Sequence, residues 1–348
     1  MEQKDKNNEI KKNMYRDRAE KLPDITDEMW NQVNKEYRDL VKEYISTQSH
    51  SPQTKKQYTS MLRQFGWYIC DSLNNKPFYK IKKRDVIRFL TYLRDDRKMS
   101  PGSIGTRKAA ISSLCNFVEN VIVDSYDDDE DNPYENFRNF TRGLPPIPKS
   151  PVYEKVKITR EEYLEMMQAL KDDENYLGMA WLGVAFNTGA RRNEILQFKA
   201  EIVNYPTTDD MTYVMSHNVR LKGPGEDGKV EPYMINFEAI QYMKLYLEKR
   251  GYEHEYIFTK KYGGKIKVVE EGWANYFCKS VLSHIVGRRI NPHLFKASAV
   301  TYLLEQGVTL ELVSKYVAHH NDISTTIKHY DLRDHAEEKN RIFGNFDT

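Results

Sequence analysis

Apolar residues recur every three or four positions through much of the first 140 residues, the period of a helix with one buried face. Tyr58, Met61, Leu62 and Phe65 make one stripe, Val86, Phe89, Leu90 and Leu93 a second, and Ile111, Leu114 and Val118 a third. Ser51-Pro52 reads as a helix start, and Ser100-Pro101-Gly102-Ser103 breaks the chain before the third stripe. Upstream, Trp30, Val33, Tyr37, Leu40, Val41 and Tyr44 predict one helix capped by Asp24 or Thr26. The pattern asks for a bundle of four or five helices with basic residues on its outer faces.

The second half is patterned differently. Between Thr141 and Tyr153 four prolines (Pro145, Pro146, Pro148, Pro151) and no hydrophobic period predict an extended linker. Thr159 and Glu162 then form a capping box for the helix REEYLEMMQAL. Tyr176 to Asn187 is apolar nearly all round, so it must be buried, and it stops at Thr188-Gly189. The restart ARRNEILQF puts Arg191, Glu194 and Ile195 on one face. Tyr213 to Leu221 and Val230 to Asn236 alternate like two strands about the turn-rich KGPGEDGK, with Lys222 at the lip. Helices follow at Phe237 to Lys249, Glu270 to Val286 and from His293 onward. The chain reads as mostly α with a small β-sheet. Residues 1–45 form a charged extension with one helix, 46–140 a helical domain, 141–157 a linker, and 158–348 a mixed α/β domain with a C-terminal tail.

Charge changes this picture locally, not globally. The 348 residues are 39% apolar and 30% charged with a net charge of only +2. Between Ser46 and Tyr126, however, fourteen Lys and Arg face six acids, which marks a basic module suited either to a polyanion or to a solvated face. The acidic run Asp127 to Asp131 reads as a solvated loop, and Met1 to Leu22, nearly all charged or amide, as disordered or loosely helical. Cys70, Cys115 and Cys278 are too few and too scattered for a disulfide framework or a thiolate metal site, which fits a reducing compartment. No apolar run approaches the ~18 residues of a membrane span, and the polar start lacks a signal-peptide core. A cytoplasmic site, on a bacterial or phage-host nucleoid, is expected, or a nuclear one if the source is eukaryotic or viral.

Chemistry concentrates between Asn291 and Tyr330. His293 and Lys296 stand one helical turn apart, His319 and His320 follow, and Tyr330 closes a run of small hydroxyl residues. A tyrosine with a pKa of about 10 is a weak nucleophile unless neighbours take its proton and stabilise charge on the target. Taken singly each residue has a bland reading: Tyr330 is one of 24 tyrosines, and Lys222 is a hairpin lysine with Lys229 as its rival across the turn. No GxxxxGK[ST] loop, HExxH or paired carboxylate cluster suggests nucleotide-driven or metal-assisted chemistry, and no cofactor is expected.

Four strings in order carry a resemblance to a known family. TGARRNEI resembles the first-arginine box of the tyrosine recombinase, or phage integrase, family; RLKG resembles its hairpin lysine, PHLFKASAVTYLLEQG its His-x-x-Arg box, and VAHHNDISTTIKHY its His-to-Tyr tail. Upstream, SPQTKKQY, IKKRDVIRFLTYL and MSPGSIGTRKAAISSLCNFV are similar to the family's SAM-like core-binding module. The resemblance implies a site-specific recombinase that cuts and rejoins DNA through a covalent 3′-phosphotyrosine. Tyr330 would be the nucleophile, Arg191 a phosphate clamp, Lys222 the acid for the departing 5′ oxygen, and His293 a hydrogen-bond or proton partner. His320 would hold the phosphate from the other side, with His319 as the alternative, and Glu194 would orient Arg191. It further implies double-stranded recombination sites as partners, a tetramer on two sites, accessory DNA-bending proteins, no membrane, and a role in integration or excision of a mobile element. Lys55, Lys56, Lys82, Lys83, Arg84, Arg107 and Lys108 are the expected DNA contacts, and Ile342, Phe343 and Phe346 a tail segment docking on a neighbouring protomer.

Two departures stand out. The family's second arginine is Lys296 here, which keeps the charge but loses the planar two-pronged grip. The interval from His320 to Tyr330 is one residue longer than usual. The alternative readings are a strand-passing relaxase of the type IB topoisomerase kind and a DNA-binding protein with a decayed active site.

Overall fold

Ser51 and Ser100, each followed by proline, open helices as expected: their hydroxyls accept from the amides of Thr54 and Ser103, both at 3.3 Å. The structure, a computed structural model, describes residues 24–126, 131–147, 156–207, 212–223 and 228–333. The charged start, the acidic run before Asp131, the linker beyond Ile147, the tip of KGPGEDGK and the tail beyond Arg333 lie outside the described residues. The chain divides into two units that part near Tyr153.

The first unit is helical: α1 (Asp27–Gln32), α2 (Lys35–Thr47), α3 (Pro52–Ser72), α4 (Lys83–Asp95) and α5 (Pro101–Phe117), the last continuing through a π-turn at Val118–Ile122. The single helix expected from residue 24 is two. Asn34 interrupts it, because its side chain caps the Tyr37 amide at 2.8 Å and its own N–H is taken by Asn75 Oδ1 at 2.8 Å. Tyr37 is fully buried between Phe65 and Phe78, with its hydroxyl donating to Leu62 O at 2.9 Å. The core runs from Val33 to Leu144, so the Lys35–Thr47 helix, read from the sequence as part of an extension, packs as a member of the bundle.

The second unit begins with α6 (Arg160–Asp172), whose capping box pairs Thr159 N with Glu162 Oε2 at 3.1 Å and Glu162 N with Thr159 Oγ1 at 3.2 Å. The apolar segment is α7 (Tyr176–Thr188), packed through Trp181 edge-on against Trp273, Phe277 and Phe295 at 6.2, 5.8 and 5.4 Å between ring centres. One turn, α8 (Arg192–Ile195), leads to four short strands: β1 (Tyr213–Met215), β2 (Val219–Leu221), β3 (Lys229–Glu231) and β4 (Met234–Asn236). Two continuous strands were expected. Instead β1 pairs with β4 and β2 with β3, both antiparallel, around an interruption at Ser216. There the Ser216 hydroxyl accepts from Tyr233 N at 2.8 Å and donates to His217 O at 2.7 Å, which turns the strand.

After α9 (Phe237–Arg250) comes a hairpin that periodicity did not flag, β5 (Thr259–Tyr262) and β6 (Lys265–Val268). It turns on Gly263 and Gly264, at φ +53° and +78°. The helix expected over Glu270 to Val286 is broken into α10 (Trp273–Phe277), a π-turn at Cys278–Leu282 and α11 (Ser283–Ile285). Then α12 (Pro292–Glu305), α13 (Leu310–Tyr316) and α14 (Ile323–His329) complete the described chain. The fold is mostly helical with small sheets. Among the described residues no helix is long and apolar enough to cross a membrane, and no His, Cys, Asp and Glu cluster could hold a metal.

Candidate active site

Gly189 is where the site is made possible. It caps α7 at φ +62°, a conformation that glycine adopts without strain, and a Cβ there would lie 3.0 Å from Ala299 Cβ and 3.4 Å from Lys296 Cα. The missing side chain lets the turn before Arg191 press against the middle of α12. Gly189→Ala is expected to cost about 1–3 kcal/mol in denaturant unfolding, since strain and close contact add. A fully stable variant would show that this approach is not tight.

Arg191 and Glu194 form the floor. Arg191 N donates to Glu194 Oε2 at 2.7 Å and Arg191 Nη1 to Glu194 Oε1 at 3.0 Å, while Tyr233 Oη donates to Glu194 Oε2 at 2.6 Å. Glu194 is only 3% exposed. Burial opposes its ionisation, but Arg191, Lys296 and these hydrogen bonds together hold it below the ordinary carboxylate value. Tyr233, buried against the same carboxylate, is pushed far above the usual phenol value. It was not anticipated from the sequence, where it is one tyrosine in an alternating strand.

Lys296 projects from α12 into this environment, 2% exposed, and its Nζ has no hydrogen-bond partner among the described residues. Burial first, then repulsion from Arg191, lowers its pKa to about 7, with Glu194 working the other way. The ammonium lies 6.0 Å from the centre of the Tyr330 ring. The His320 ring is 4.7 Å from the Tyr330 ring. His320 Nδ1 bonds Thr326 Oγ1 at 2.8 Å, Thr326 donates to Ser314 Oγ at 2.8 Å, and His320 Nε2 is buried without a partner among the described residues. Burial and the nearby charges of Lys296 and Arg191 depress His320 to about 4, so the ring is neutral at pH 7.

Tyr330 follows the last residue of α14, its N–H donating to Thr326 O at 2.9 Å. Thr301 Oγ1, five residues beyond Lys296 on α12, donates to Tyr330 O at 3.0 Å and accepts from Leu332 N at 3.0 Å. His319 is held differently: its Nδ1 meets Glu231 Oε2 at 2.7 Å and its ring meets Tyr233 edge-on at 4.5 Å, while its Nε2 is buried without a partner among the described residues. The structure thus gathers Arg191, Glu194, Lys296, His320 and Tyr330. His293 is exposed on the first turn of α12, and Lys222 is exposed at the end of β2. Its rival Lys229 is paired with Glu231 at 2.6 Å.

In the first unit Lys56, Lys82, Lys83 and Arg84 are exposed and Lys55 is half-buried. Arg107 donates to Gln64 Oε1 at 2.9 Å and Ser103 O at 3.1 Å, and Lys108 to Leu144 O at 3.4 Å, so both also hold the bundle together.

Comparison with known proteins follows the same lines. A profile of the phage integrase family matches residues 157–337, and one of the phage integrase N-terminal SAM-like domain matches residues 37–127. The SPbeta prophage-derived recombinase-like protein YomM of Bacillus subtilis (strain 168) is 58% identical over 335 residues, 96% of this chain and 98% of its own length. Tyrosine recombinase XerA of Thermococcus onnurineus (strain NA1) is 24% identical over 90% of this chain and 96% of its own. Among solved structures, XerH site-specific recombinase bound to a palindromic difH substrate in a post-cleavage complex is similar with a TM-score of 0.66 at 15% identity, covering 94% of this chain and 98% of that one. A lambda integrase (75-356) dimer bound to a COC′ core site reaches 0.61 at 14% identity, covering 86% and 95%. At those identities the likeness is one of fold.

Proposed function

This chain belongs to the phage integrase family of tyrosine recombinases, and on that premise we propose that it cuts and rejoins DNA at specific sites through a covalent 3′-phosphotyrosine on Tyr330. One observation carries the reading: near the Tyr330 ring lie two buried nitrogens, Lys296 Nζ and His320 Nε2, that no atom of the described residues satisfies. Buried polar atoms ordinarily have partners. A phosphodiester, with its non-bridging oxygens, supplies acceptors of the right charge for both.

In the step proposed, Tyr330 Oη bonds to phosphorus as the bond to the 5′ oxygen breaks. The phosphate stays on the 3′ strand end as a tyrosyl diester, and a 5′ hydroxyl leaves. Arg191, held rigid by Glu194, and Lys296 face the charge that builds on the non-bridging oxygens. His320 contributes a hydrogen bond rather than a charge, through Nε2 once Thr326 turns its hydroxyl hydrogen toward Nδ1. Lys222 protonates the departing oxygen and His293 takes up the phenol proton. The ester keeps the energy of the broken bond, so attack by another 5′ hydroxyl rejoins the strands without ATP. The exposed lysines and Arg84 of the first unit would position the duplex through its phosphates. The prophage origin of the 58% identical relative supports a role on mobile-element DNA inside the cell, with a tetramer working on two sites.

The test uses nicked duplexes tiled across the DNA that flanks the gene, in which the nick traps a cleaved strand. The native chain should yield a covalent adduct, and peptide mapping should place the nucleotide on the fragment that carries Tyr330. Tight duplex binding with no adduct from any tile would sink the recombinase reading in favour of a DNA-binding protein.

A further inference from the structure

The strand that follows the Lys222 turn grips the turn that precedes the nucleophile's helix at two points. On β3, Glu231 Oε2 is 2.7 Å from His319 Nδ1, and Lys229 Nζ is 3.3 Å from Asn321 Oδ1. Lys229 and Glu231 are themselves paired at 2.6 Å. His319 and Glu231 are 88 positions apart in the chain. The backbone of His319 stands at φ +52°, where a side chain is strained and glycine is not. Its side chain is 3% exposed and its ring meets Tyr233 edge-on, so the side chain is tightly held despite that conformation. Such an outlier is reason to ask what the side chain does. Burial opposes ionisation of Glu231, yet the hydrogen bonds from Lys229 and His319 hold its carboxyl below the ordinary value. The contact is therefore a bond to a carboxylate, stronger than one between neutral groups.

We propose that Glu231 and His319 are positioning residues that clasp the β2–β3 hairpin to the turn leading into the Tyr330 helix, and so set where Lys222 delivers its proton. This rests on the recombinase reading above. Lys222 and Tyr330 must act on the same phosphate within one bond-breaking event, yet they stand on elements far apart in sequence. His319 and Asn321 flank His320, and Lys229 is opposite Leu221 in the ladder, next to Lys222. The clasp thus joins the elements that carry Lys222 and Tyr330 directly. It also accounts for His319 without giving it a place at the phosphate.

The experiment compares two nicked substrates of the recovered site: one with an ordinary phosphodiester, the other with sulfur replacing the bridging 5′ oxygen. A thiolate leaves without needing a proton, so the second substrate is indifferent to Lys222. Glu231→Ala and His319→Gly are each expected to slow cleavage of the ordinary substrate on the order of 10–100-fold, part of the ~10²–10⁴ that acid catalysis supplies, and to leave the sulfur substrate within about threefold of native. Glu231→Gln, which keeps an acceptor for His319, should restore most of the rate. The double variant Glu231→Ala with His319→Gly should lose no more than the worse single one, because both break one contact. Glu231 is half-exposed and glycine suits the backbone at 319, so both variants are expected to fold. Equal losses on the two substrates, or additive losses, overturn the clasp while leaving the recombinase reading intact. No adduct from the native chain on either substrate overturns both.

Discussion

Arg191→Ala is expected to lower covalent adduct formation on nicked DNA on the order of 10³-fold, the scale seen when one preorganised cation or donor is removed from a developing phosphate charge. It should also destabilise the second unit by about 3 kcal/mol, because the buried Glu194 then loses its hydrogen-bonded counterion. The two losses are separable. In Arg191→Ala combined with Glu194→Gln the buried side chain is neutral, can still accept from Tyr233 and needs no cation. Stability measured by denaturant should recover, and cleavage should not. If the double variant regains cleavage, Arg191 acts only by balancing Glu194 and the clamp assigned to it is wrong.

The second large effect is a pH dependence set by Lys296. Its pKa of about 7 in the folded chain is that of the DNA-free protein, so the apparent second-order rate of cleavage should fall as pH rises through about 7 and the ammonium is lost. Lys296→Arg should flatten that limb, since a guanidinium stays charged throughout. Stability should move in the opposite direction. An unfolded lysine titrates near 10.5. Between about 7 and that value the unfolded chain holds a proton that the folded chain has released, so unfolding becomes harder as pH rises. Below about 7 both states hold it, and the folded chain bears the full penalty of a buried ammonium. The rise should total roughly 3–5 kcal/mol and vanish in Lys296→Met, which keeps the volume and drops the charge. A native chain whose stability over this range matches that of Lys296→Met would mean that the amine stays charged through other contacts.

What the sequence told, it told through local rules. Helices with serine-proline starts, the Thr159–Glu162 box and the Thr188-Gly189 stop are decided within a few residues, and each stands where its pattern put it. The first arginine with its glutamate one turn away was legible for the same reason. What could not be read depended on distant partners. Tyr233 reaches Glu194 across 39 positions, and Glu231 reaches His319 across 88. No periodicity encodes such pairings. Burial was equally hidden: a lysine one turn from an exposed histidine reads as solvated until α7 and Gly189 are packed on it. The β5–β6 hairpin does carry a local signal, Gly263-Gly264 between two short runs. The one-residue lengthening before Tyr330 has a structural companion. The turn at His319 uses a left-handed residue, and His320 rather than His319 lies against the phenol.

Thr301 has a mechanical meaning. Its hydroxyl holds the carbonyl of Tyr330 and the amide of Leu332 at once, so the chain is riveted to α12 on both sides of Asp331. A pull on the residues after Arg333 is taken up by α12 before it can drag the phenol. The Tyr330 backbone is thereby held against tension from the residues that follow, and it shares its anchor with the helix that carries Lys296. Tyr330 and Lys296 are thus tied to one helix.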